Sequence, residues 1–109
     1  MNILIIEPLS RKLFLKLRDK LMSNGHTVIQ DSDRRSVRDL LKSRPIDVII
    51  LDADFVESNN YLHWFQILGS LRSESSKIFS VTETEGETSK ELLSFTQLCA
   101  ELKKQGAIK

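Results

Sequence analysis

A doubly wound α/β domain, a parallel sheet with helices on both faces, follows from three features of these 109 residues. Short β-branched apolar runs alternate with segments of helical periodicity. Turn signals punctuate them at Asn24-Gly25, Pro45 and Gly86. The order reads β-α-β-α-β-α-β-α, which implies parallel strands joined by right-handed helical crossovers. The length suits one domain spanning 1–109.

Asn2 to Ile6 is a continuous apolar run, as expected of a strand buried on both faces, and Pro8 stops it. Ser10 can cap a helix that runs to about Asn24, with Phe14, Leu17 and Leu21 as its inner stripe. Asn24-Gly25 closes that helix, and His26 to Gln30 reads as a second strand. A helix fits Arg34 to Ser43, with Val37, Leu40 and Leu41 inward. Asp47 to Leu51 is the clearest strand in the chain. A polar loop over Asp52 to Asn60 leads to a helix over Tyr61 to Leu71, with Leu62, Phe65, Leu68 and Leu71 on one side. Lys77 to Val81 is a fourth strand, and Glu83 to Glu87 an acidic loop. Thr88 to Gln105 reads as one long helix striped by Leu92, Phe95, Cys99 and Leu102. Four strands are clear, and Ile108-Lys109 could begin another.

Composition narrows the function. The chain is 40% hydrophobic and 28% charged, which fits a globular protein rather than a disordered one. A net charge of +1 carries no electrostatic footprint for nucleic acid. No apolar run is long enough to span a membrane, and no basic-then-apolar leader opens the chain. The lone Cys99 forms no internal disulfide and has no Cys/His partners for zinc. A reducing, cytoplasmic compartment is the expectation.

The residues that could carry chemistry follow strands. Glu7 follows the first strand and Asp52 the third, so neighbouring strands would bring their carboxylates together at the carboxyl edge. Paired carboxylates repel unless a cation lies between them, and oxygen ligands of this kind suit magnesium. Asp54 adds a third carboxylate, and Thr82 ends the fourth strand with a hydroxyl that phosphoryl oxygens could meet. The plainer alternative is that acids at strand ends only start exposed loops.

The stretch from LRDKLMSNGHTVIQDSD through SVRDLLKSRPIDVIILDAD resembles the receiver domain of bacterial two-component response regulators, over about the first 82 residues. Its most specific part is NGHTV, a helix, and then RPIDVIILD. The resemblance implies a flavodoxin-like, CheY-like fold. It implies that Asp52 is the position that accepts a phosphoryl group from a histidine kinase, that Glu7 belongs to the magnesium site, and that Thr82 contacts the phosphoryl group. Lys109 stands as a candidate for the lysine of the family's fifth strand.

The chain departs from that pattern at four places. Pro8 replaces the second acid after the first strand and offers no side-chain ligand. The loop after Asp52 is ADFVESNN, with Val56 and Asn60 where the family has proline and glycine. Glu83 puts a bulky negative residue where a small one leaves room for phosphate. The family's fifth strand, with its lysine, and its fifth helix are missing or rudimentary here, and the aromatic switch residue has no visible counterpart.

Three functions follow. The first is a pseudo-receiver, a protein-interaction module with degenerate phosphorylation chemistry. The second is a working phospho-receiver with magnesium on Glu7 and Asp52. The third, a small enzyme, lacks any nucleophile pair, base or cofactor motif. In each of the first two the partner is a histidine kinase or another signalling domain. A fourth strand left bare at the sheet edge would also favour a homodimer built on that edge and the last helix.

His26 and His63 lack a partner pattern and read as surface or packing residues. Tyr61 and Trp64 read as partly packed, and Cys99 as a small core residue. Arg34, Arg35 and Arg38 form a local basic cluster whose default reading is a solvated face.

Overall fold

The computed structural model describes residues 1–6, 12–52, 64, 66, 68, 69, 76–82 and 92–108. These form an α/β fold on an all-parallel sheet. Strands β1 (Asn2–Ile6), β2 (Thr27–Asp31), β3 (Val48–Asp52) and β4 (Lys77–Thr82) have five or six residues each, and β5 (Leu92–Ser94) has three. The sheet order is β2-β1-β3-β4-β5. Three helices are bounded among the described residues: α1 (Lys12–Ser23), α2 (Arg34–Ser43) and α3 (Phe95–Lys104). Trp64, Gln66, Leu68 and Gly69 are also helical, within the helix expected over Tyr61 to Leu71.

Side-chain alternation along the central strands builds two cores. Ile3, Ile5, Val48 and Ile50 face Phe14, Leu17 and Leu21 of α1 and Leu98 and Leu102 of α3. Leu4, Ile6, Ile49 and Leu51 face Val37 and Leu41 of α2 together with Trp64 and Leu68. Continuous apolar strands are what burial on both faces requires, and β3 is buried at every position.

Local chemistry sets the helix ends. Asp33 caps α2, its carboxylate accepting from the backbone N–H and the hydroxyl of Ser36, both at 3.1 Å. α1 and α3 end in the same way. Gly25 and Gly106 sit at φ of 85° and 78°, a left-handed conformation that glycine adopts without Cβ strain. The Gly25 and His26 N–H groups donate to the Met22 and Leu21 carbonyls, and the Gly106 and Ala107 N–H groups to the Lys103 and Leu102 carbonyls. Each is a Schellman turn.

Asp47 holds the opposite end of the sheet. Its carboxylate accepts from the Asn2 N–H at 2.7 Å, and its own N–H donates to the Asn2 carbonyl at 2.8 Å. Ser76, buried before β4, donates its hydroxyl to the Ile46 carbonyl.

The expected C-terminus is corrected. Leu92 lies in β5, not in a long helix, and α3 begins at Phe95 rather than Thr88. Because Ser80, Val81 and Thr82 pair with Leu92, Leu93 and Ser94, β4 is not the sheet edge, and the bare edge expected to drive dimerisation is covered over those residues. Ile108, expected as the start of a strand, follows the Gly106 turn, is 3% exposed and packs in the α1/α3 core. Lys109 lies outside the described residues. No helix among the described residues is long and apolar enough to cross a membrane.

Candidate functional site: the carboxyl edge around Asp52

Asp52 is the last residue of β3, the central strand of the sheet. Val48–Leu51 pair in parallel with β1 and Val48–Asp52 with β4, which fixes its backbone. Its pairing partner on β4 is Val81. It shares the alternation of Val48 and Ile50, so it belongs to the α1/α3 face, as does Val81. Asp52 is 0% exposed and is one of two buried polar or charged residues among those described, with Ser76. A carboxylate is rarely buried unless its surroundings engage it, and Asp52 does have such an interaction.

The β1 end lies alongside. Ile6 pairs with Leu51 of β3 and with Asp31 of β2. Glu7 is the next residue in the chain and lies outside the described residues, as does Asp54. Thr82 ends β4 one residue beyond Val81, with Ser94 as its β5 partner. Of the sequence-predicted set, Asp52 and Thr82 are therefore placed on adjacent strands at the carboxyl edge, and Glu7, Asp54 and Lys109 are not among the placed residues.

Asp31 is a carboxylate at this edge that the sequence reading did not single out. Its Oδ1 accepts from the Asp33 N–H at 3.0 Å, so it shapes the turn into α2. It also stands two strands from Asp52, about 10 Å at ordinary strand spacing. Its β1 partner Ile6 belongs to the α2 core, so Asp31 lies on the sheet face opposite that of Asp52. Among the described residues, no group of three His, Cys, Asp or Glu side chains could hold a metal. Any magnesium site here would need Asp52 together with residues outside the described set.

His26 has a definite role that its lone appearance in sequence did not suggest. Its Nε2 lies 2.8 Å from the Ala107 carbonyl oxygen, which can only accept, so Nε2 carries the proton. Nδ1 then accepts, facing the Met1 amino group at 3.1 Å. The link ties the end of α1 to the end of α3. Trp64 is 1% exposed and is a core residue rather than a partly packed one.

No family model, curated protein or solved structure matches the chain.

Proposed function

We propose that this chain is a receiver-like signalling module of flavodoxin-like topology that acts through protein–protein contact and has degenerate phosphorylation chemistry. The strand order supports the topology, since 2-1-3-4-5 is the flavodoxin-like order of doubly wound sheets. That order reverses between β1 and β3, and ligand crevices lie at such a reversal. Asp52 stands there, at the position where a receiver carries its phosphoacceptor.

The burial of Asp52 carries the choice of a degenerate site. Phosphoryl transfer needs a carboxylate oxygen in line with phosphorus, and a side chain that is 0% exposed meets no donor in solution. Pro8 and Glu83 point the same way, by removing a metal ligand and adding negative charge. The module then turns over no substrate and needs no magnesium. Its partner is a histidine kinase or another signalling domain, and its lone cysteine fits the cytoplasm.

Incubation with acetyl phosphate and magnesium, followed by intact mass, tests this. The expected result is an unchanged mass. A phosphoryl adduct that disappears in Asp52→Asn overturns the proposal in favour of a working receiver, with magnesium on Glu7 and Asp52, Asp54 as a further acid, and Thr82 and Lys109 at the phosphoryl oxygens.

A further inference from the structure

The exposed surface of α2 is strongly basic. Arg34, Arg38 and Lys42 follow one another at i, i+4 and i+8, Arg35 lies beside them, and all four are exposed. Side chains at that spacing are neighbours on one helix face, and like charges there cost stability. The stripe spans about 12 Å at the helical rise. Arg34 and Arg35 also occupy the first turn, which has no acidic residue, and the positive end of the helix dipole disfavours cations there. Asp39, at i+4 from Arg35 and three before Lys42, is the acid within the helix, and Asp33 caps its first turn, so the basic residues outnumber the acids there by four to two. Local choices that cost stability with no gain inside the fold mark functional surfaces.

We propose that the exposed face of α2 is a docking surface for an acidic helical segment of a partner protein, independently of whether Asp52 accepts a phosphoryl group. Carboxylates at i and i+4 on a helix are about 6 Å apart along its axis, which matches the spacing of Arg34, Arg38 and Lys42. Arg38 can then engage one of these carboxylates through paired N–H groups, with Lys42 beside the next. Duplex DNA fits less well. It carries one charge per about 1.7 Å, so a stripe of this length would meet roughly seven phosphate charges. The exposed carboxylates of Asp33 and Asp39 border the stripe and would repel such a dense row.

The test uses the full chain and an alanine-rich helical peptide with glutamate at every fourth position. Binding is read by fluorescence anisotropy and amide chemical shifts, with a short duplex DNA as the comparison. The peptide should bind, weaken with salt, and shift amides of α2. Arg35→Gln/Arg38→Gln/Lys42→Gln should lose about tenfold or more in affinity, since three exposed charge contacts are removed. Lys16→Gln/Lys103→Gln/Lys104→Gln removes the same charge from α1 and α3 and should leave affinity nearly unchanged. Asp39→Lys, which widens the stripe, should tighten binding. No peptide binding, equal losses in the two triple variants, or tighter binding of the DNA each overturns the proposal.

Discussion

Replacing Ile108 with alanine tests whether the end of the chain is a core plug or the start of an edge strand. Ile108 is 3% exposed among Phe14, Leu17, Leu21, Leu98 and Leu102. Truncating a buried isoleucine to alanine costs about 2–5 kcal/mol, through lost transfer energy and the cavity left behind. Ile108 lies outside the helices and strands, where the backbone relaxes more easily than in a central strand, so the lower part of that range, about 2–3 kcal/mol, applies. A domain of this size loses roughly 4–5 °C per kcal/mol, so the melting temperature should fall by about 8–15 °C. Urea unfolding followed by circular dichroism reads the same change as a lower midpoint at constant slope. His26→Ala removes the 2.8 Å bond to the Ala107 carbonyl and should cost about 1 kcal/mol. Both changes act through one segment, so the double variant should deviate from additivity by about 0.5 kcal/mol or more. The exposed Lys103→Ala should stay within about 0.5 kcal/mol of the parent. An Ile108→Ala cost under about 1 kcal/mol, with strict additivity to His26→Ala, would refute the plug.

Two further outcomes concern α2. Asp33→Ala should destabilise the protein by about 1 kcal/mol in urea, because the Ser36 N–H and hydroxyl lose their acceptor. Arg38→Glu should raise the melting temperature by about 2–4 °C, since repulsion with Arg34, Arg35 and Lys42 becomes attraction, and the gain should shrink in high salt.

Much of the fold was legible because its signals are local. β1 and β3 are apolar at every core position, which only strands buried on both faces tolerate, and their limits matched to within a residue. The stripe of Phe14, Leu17 and Leu21 follows from helical spacing alone, and all three residues are buried. Asn24-Gly25 announced its turn because a left-handed residue is needed there and glycine supplies it. Arg34–Ser43 was legible from its period and from the following Pro45. The position of Asp52 at a strand end was equally plain.

Tertiary structure decided the rest, where two readings were locally equal. Leu92, Leu93 and Ser94 suit a helix as well as a strand, because three residues are too few to show a period. The free edge of β4 at Ser80–Thr82 resolved the choice by offering backbone partners. His26 carries no signal in sequence, since its acceptor at Ala107 is 81 residues away. The burial of Asp52 is a property of the packed fold that a strand-end position does not by itself specify. Spacing and residue type therefore placed the strands, the first two helices and the acid at the sheet edge. Long-range pairing and packing alone determined the fifth strand and the plug at Ile108, because contacts between distant residues leave no periodic trace in the chain.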